Sequence, residues 1–354
     1  MNILNNDELE VLNTFRNIIV WGYPLHSHTQ SYIHGSFFKA FKVLHNSVHW
    51  FHDKDYPSAE TFDYSNSLFL GEGWGSENIP VLNTCTYFVN FAKDPFKYLN
   101  VGARIIDIRF NVYEINDFNY NYKLPVDTAI KISEDTLYEA VKDDSAVAYA
   151  RSRPVDNRPY EAVYLYWATD LLPSEFNFEL ASHKRTNNIY YIASTGGEEH
   201  PINKFKVSAS QNGKNFIESN PWNNPISYDD TMKLMIDSYC APDFRSPGSK
   251  DAFKKHGKFN GTNHLDIGYI PCRIFKAISY GQTGITNSPR VKEILGEYVE
   301  YCEDPTQVIS IATKRMNDVD WRIECMKHVQ SRHTYIHRIR DLARVLLNNP
   351  NNTC

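Results

Sequence analysis

The six cysteines of this 354-residue chain, Cys85, Cys240, Cys272, Cys302, Cys325 and Cys354, stand far apart, with no C-x-x-C pair among them. That scatter argues against a zinc knuckle and a disulfide framework, so a reducing compartment fits best. A surplus of positive charge is also lacking. The net charge is −5, which leaves no global field to collect a phosphate backbone and disfavours a general nucleic-acid binder. No stretch approaches the ~20 consecutive apolar residues of a transmembrane segment. The opening residues, MNILNNDELEVLNTF, carry acids where a signal peptide has a basic segment and an apolar run. A cytoplasmic location is therefore expected, with the sequons at Asn260 and Asn351 unused. There is no internal repeat at solenoid periods.

What remains is ordinary globular material. Hydrophobic residues make up 42% and aromatics 14%, enough for a substantial core, and the length suits two domains. Asn17 to Trp21 is an apolar run stopped by Gly22 and Pro24, as in a buried strand. Ile33, Phe37, Phe41 and Leu44 then recur at helical spacing, and a strand resumes at Ser47 to Phe51. Further strands are predicted at 67–70, 84–89, 103–108, 146–150 and 161–167. Strands alternating with helices point to a parallel sheet covered on both faces. The run DLLPSEF at Asp170 to Phe176 reads as the crossing to a second unit. That unit is predicted to hold strands at 189–193, 237–241 and 282–286, with helices from Pro201, at 228–235, around Arg273, at 290–295 and at 333–347. The tail after Leu347 is expected to be disordered.

In open α/β sheets, ligands sit beyond the carboxyl ends of the strands. Three clusters occupy such places: His26-Ser27-His28 after the first strand, Ser194-Thr195-Gly196-Gly197 with Lys204 on the helix that follows, and Arg273 and Lys276 with Thr286 and Asn287 opposite. Arg273 and Lys276 are three apart and share a helix face, near an N-terminus whose dipole favours anions. On spacing alone they also read as solvated cations of an amphipathic helix that buries Ile274, Phe275 and Ile278. The histidines titrate near neutrality and suit general base work, or else cap and pack the helix from Gln30. Glu72 and Asp53, after the third and second strands, are carboxylates that either orient such a histidine or remain solvated loop acids.

The run Gly268-Tyr269-Ile270, Cys272-Arg273-Ile274-Phe275-Lys276 and Gly281, followed by Gly284-Ile285-Thr286-Asn287-Ser288-Pro289, resembles the nucleotide-binding half of GT-B glycosyltransferases. The likeness is to the CgeB-like branch of the group 1, family 4-like superfamily. A second signature, His333-Thr334-Tyr335-Ile336-His337-Arg338, is similar to the start of that family's last helix, and the ordered pair covers about the last third of the chain.

The resemblance implies an α/β fold of GT-B type, two Rossmann-like domains whose parallel sheets face an interdomain cleft. Residues 1–172 would bind the acceptor and residues 173–335 the donor, while 336–354 would brace the hinge or cross back. It implies transfer of a sugar from a nucleotide-diphosphate sugar to a glycan or glycoconjugate hydroxyl, with no cofactor beyond the donor. Thr195, Gly196, Gly197, Lys204, Asp243, Arg273, Lys276, Thr286 and Asn287 would hold the donor. His28, preferred over His26, would be the base, with Glu72 as support. A metal-independent route is the simpler expectation. Retaining members carry two glutamates with seven residues between them, at positions that here hold Gly268 and Lys276, and this departure points toward inversion. His333 and Arg338 read as structural. The rival readings are a metal-dependent hydrolase built on His26 and His28 with His183, His200 or Asp266, an inactive sugar-binding scaffold, and a sugar-nucleotide epimerase on the same fold.

Overall fold

The run Asn17–Trp21 does form a strand, β1, and it is buried along its whole length. A computed structural model describes residues 3–23, 29–73, 75–90, 92, 94–109, 147–149, 161–193, 201–220, 223–245, 265 and 269–347. Ahead of β1 lies a helix that apolar spacing does not announce, α1 (Asn6–Asn13). Asn5 accepts from the Glu8 N–H and Glu8 accepts from the Asn5 N–H, both at 2.8 Å, a reciprocal cap that starts the helix. After β1 come α2 (Thr29–Leu44), β2 (Val48–Phe51), β3 (Ser67–Glu72), β4 (Thr86–Asn90), α3 (Phe96–Leu99), β5 (Arg104–Arg109), β6 (Val147–Tyr149) and β7 (Glu161–Leu165).

These strands form one sheet in the order β2-β1-β3-β4-β5-β7-β6. All neighbours are parallel except β6, which runs antiparallel to β7. β3 and β4, like β1, are buried throughout, as a parallel sheet covered on both faces requires. Side chains alternate between the faces: Ile18, Val20, Leu68 and Leu70 pack beneath helices, while Ile19, Trp21 and Phe69 point the other way.

The cover of that second face differs from the expected layer of helices. Among the described residues it is formed by the short α3 and by loops, whose aromatic rings do the packing: Phe69 on Tyr87 and Tyr87 on Tyr98, each with centroids 4.8 Å apart. The loops tolerate this burial because tyrosine hydroxyls satisfy their carbonyls. Tyr64 donates to Pro57 O at 2.6 Å and Tyr87 to Pro80 O at 2.7 Å.

Beyond β7 the chain passes through two short turns of 3-10 helix, Pro173–Glu175 and Phe178–Ser182. It continues as β8 (Asn188–Ile192), α4 (Pro201–Gln211), β9 (Asn215–Ser219), α5 (Tyr228–Asp237), α6 (Cys272–Ser279), β10 (Ile285–Thr286), α7 (Pro289–Leu295) and β11 (Glu300–Tyr301). Three helices close it: α8 (Val308–Met316), α9 (Val319–Arg332) and α10 (Tyr335–Leu347). β8 pairs with β9 and β10 with β11, both in parallel.

The strand expected at 237–241 is an irregular extended segment instead. Asp237 ends α5, the Ser238 hydroxyl takes the Tyr190 N–H at 3.0 Å, and Pro242 has no N–H to give. The segment still bridges the two strand pairs. Tyr239 N–H reaches Asn188 O at 2.7 Å, and Asp243 N–H reaches Ile285 O at 2.8 Å. The predicted strand 282–286 is likewise cut short, because the Gln282 side chain turns its amide to Met235 O and Ser238 O.

One hydrophobic cluster runs from the helix-covered face of the first sheet through Tyr166 and Trp167 to α6, α9 and α10. α10 packs back on the first sheet's helices: Tyr335 meets Phe37 at 4.6 Å, and Arg344 Nε donates to Glu8 Oε1 at 2.6 Å. Arg338 is fully buried and donates to Tyr166 O and Trp167 O, the structural role expected for it; His333 O accepts the Thr169 N–H.

Candidate functional site

In the first sheet β1 has β2 on one side and β3 on the other, so successive connections leave in opposite directions and open a crevice at their carboxyl ends. Gly22 and Tyr23 follow β1 there, and Glu72 ends β3. A Cβ at Gly22 would overlap the ring of His34, which comes in from α2. His34 Nε2 lies 3.9 Å from Glu72 Oε2 with both side chains buried, and the Tyr23 ring stacks over the imidazole at 6.3 Å. Burial first, then the neighbouring Glu72 carboxylate, raises the pKa of the Tyr23 hydroxyl. Glu72 is thus a buried carboxylate partnered by histidine and tyrosine, not a solvated loop acid. The expected bases His26 and His28 lie outside the described residues, as do His200 and Asp266. His183 pairs with Asp237 at 2.8 Å, away from this crevice.

Asp53 is occupied in holding the fold. It accepts the Trp21 indole N–H at 2.7 Å and the backbone N–H of Glu77 at 2.8 Å. D-x-D spacing occurs twice, at Asp53/Asp55 and Asp318/Asp320, and Asp318 is likewise spent, capping α9 and pairing with Arg315. Among the described residues no group of three His, Cys, Asp or Glu is placed to hold a metal ion.

The second set of strands has its own crossing, between β8 and the segment 238–243. Thr195, Gly196 and Gly197, which follow β8, lie outside the described residues, and Gly268 does as well. Arg273 folds back from α6 so that Nη2 donates to Ile192 O at 2.5 Å, with the guanidinium 4.8 Å from the Tyr191 ring. Asp243, Thr286 and Asn287 are brought together beside it. The Thr286 hydroxyl lies 3.4 Å from Asp243 Oδ2, and the Asn287 amide clasps the backbone of Arg245 in both directions at 2.8 Å. Arg245 Nη2 then reaches Asp243 Oδ1 at 2.5 Å, and its guanidinium sits 5.1 Å from the Tyr269 ring. Burial on its own would lower the pKa of Arg245; Asp243, with Tyr269 and Tyr191, more than offsets it. Lys204 is exposed on α4, near Asp304.

Lys276, one turn further along α6, is paired with a different carboxylate. Its ammonium lies 3.4 Å from Asp170 Oδ2, over the Tyr32 ring at 3.9 Å, in a pocket closed by Tyr228 and Tyr280. Tyr228 also donates to Asp170. Burial first, then Asp170, raises the pKa of both tyrosine hydroxyls.

Three residues of these crevices escaped the sequence reading. Asp170 opens the DLLPSEF run, which reads as a crossing, and Arg245 lies two residues after Asp243. His34 is hidden among the inward-facing Ile33 and Phe37 of α2, and nothing local separates it from a packing residue.

No family model, no curated protein and no solved structure matches this chain. The described residues contain no helix long and apolar enough to cross a membrane.

Proposed function

We propose that the protein is a glycosyltransferase that moves a sugar from a nucleotide-diphosphate sugar to a hydroxyl of a glycan or glycoconjugate. In this reading the two sets of strands are the two halves of a GT-B architecture, with the donor on the second and the acceptor on the first. The observation that carries it is the position of Arg273, whose guanidinium is folded back onto the carboxyl end of β8 at the crossing of the second set. A guanidinium held there offers a fork to a phosphate.

The chemistry assigns one task to each crevice. The acceptor oxygen bonds to the anomeric carbon, the bond from that carbon to the diphosphate oxygen breaks, and the electron pair leaves on the diphosphate. Fixed cations stabilise that developing charge. The acceptor proton passes to a base on the first sheet, where His34, Glu72 and Tyr23 are assembled and the chain of His26 and His28 connects β1 to α2. No metal step is invoked. With Lys276 and Gly268 where retaining enzymes carry glutamates, the reading favours inversion, and the scattered cysteines favour a cytoplasmic enzyme.

A thermal-shift series with UDP, GDP, CDP and dTDP tests this, because a ligand of the folded state raises its melting temperature. One nucleotide diphosphate should stabilise the protein well above its nucleoside. Equal, negligible shifts for all four would count against the reading.

A further inference from the structure

We infer that a diphosphate is held between Arg245 and Arg273, and that Lys276, although on the same helix as Arg273, is not one of its ligands. The inference rests on the glycosyltransferase reading only for the nature of the group attached to the diphosphate.

Three observations carry it. The two guanidiniums stand at neighbouring strand ends: Arg273 donates to Ile192 O at the end of β8 and lies over Tyr191, while Arg245 ends the segment that bridges β8 and β10 and lies over Tyr269. Arg245 is also held in place as a surface cation is not. Its side chain is 15% exposed, Asn287 clasps its backbone on both sides, and Asp243 takes one Nη. Among the described residues its Nε is buried with no hydrogen-bond partner, a donor left over. Finally, the charges leave a place for an anion. Among the described residues Asp243 offsets one of the two arginines, so the group they form carries a net positive charge with two planar forks, whereas Lys276 is neutralised by Asp170. For Lys276 to serve a ligand, it would have to abandon a carboxylate that is itself buried.

Diphosphate is the ligand class because two guanidinium forks suit two linked phosphoryl groups better than one. It has two sources, free pyrophosphate and the diphosphate of a nucleotide, and calorimetry on the full chain separates them. Inorganic pyrophosphate, UDP and GDP are titrated into the wild type, R245Q, R273Q and the neutral double variant D170N/K276M. The expected result is that R245Q and R273Q each weaken binding of pyrophosphate and of the preferred nucleotide by about tenfold or more, and that D170N/K276M stays within about threefold of wild type. If R245Q does not fold, R245K keeps the charge beside Asp243 and removes the fork, with a loss of about fivefold expected.

Unchanged affinity in the Arg245 variants overturns the inference, as does a loss in D170N/K276M as large as in R245Q. The two levels are distinguishable. Pyrophosphate binding that depends on Arg245, with no turnover of any sugar nucleotide, keeps this site and removes glycosyl transfer. Turnover that is indifferent to Arg245 does the reverse.

Discussion

Lys276 and Asp170 form an ion pair of 3.4 Å in which the side chains are 4% and 2% exposed, and it joins α6 to the segment that leaves the first sheet. Tyr32 of α2 and Tyr228 of α5 close over it, their rings 5.4 Å apart, so four parts of the chain meet on one charge pair. Breaking such a pair from one side leaves an uncompensated buried charge, at a cost of ~3–5 kcal/mol. Lys276→Met and Asp170→Asn should each destabilise the protein by about that amount in urea denaturation, and the double variant by clearly less than the sum. Additive losses would show that the two charges do not depend on one another.

Gly281 has a φ of +74°, and a Cβ there would overlap the Leu180 carbonyl. Its own carbonyl accepts from both Arg185 and Arg322, which also donate through Arg185 Nη1 and Arg322 Nη2 to Ile236 O and Met316 O at the ends of α5 and α8. Two cations therefore cap converging helix ends, where the helix dipole favours positive charge. Burial, then the neighbouring Arg322, brings the pKa of Arg185 down to about 10. Gly281→Ala should cost more than ~1 kcal/mol, from the backbone conformation and the displaced carbonyl together. A melting temperature equal to wild type would contradict this arrangement.

The elements that could be read from the sequence were those whose partners lie close in the chain. β1 is an apolar run behind a single asparagine and closed by a glycine, and α2 shows its inward face at regular spacing, so both are legible nearly to the residue. α8 and α9 were not foreseen, since Val308, Ile309, Ala312, Cys325, Met326 and Val329 are diluted among charges that face solvent. α1 starts at the reciprocal cap of Asn5 and Glu8, with no long apolar stripe after it to mark a helix in the sequence. At the site, Arg273 was legible from its helix. That Lys276 is neutralised was not, because Asp170 lies in another element far away in the chain, and only folding brings the two together.

Stability should fall with acid. Burial, with Arg338 and Arg340 behind it, lowers the pKa of His337 from the usual 6.5 to about 3, and His333 is driven down in the same way by burial and Arg338. Both are neutral in the folded protein and take up a proton on unfolding, so their contribution is complete above pH 6.5 and is lost as pH falls toward 3. A histidine held neutral in this way costs about 2 kcal/mol at pH 5. Urea denaturation at pH 7.5 and pH 5 checks it: the wild type should lose several kcal/mol, and His337→Gln measurably less.

On the first sheet, Glu72→Gln and His34→Gln should leave nucleotide affinity within about twofold, while lowering sugar transfer by about a hundredfold or more, the usual scale for losing acid–base assistance. His28→Ala should behave in the same way. Calorimetry and donor turnover on the same preparations provide the two readouts. A parallel loss of binding and turnover would instead make this cluster a packing feature.

The most direct measurement is a crystal structure of the full chain soaked with the nucleotide diphosphate that gives the largest thermal shift. The account predicts density for two phosphoryl groups within hydrogen-bond reach of Arg273 and Arg245 at the end of β8, with Lys276 still on Asp170. Phosphates bound elsewhere, or that crevice empty at a saturating nucleotide concentration, would contradict it.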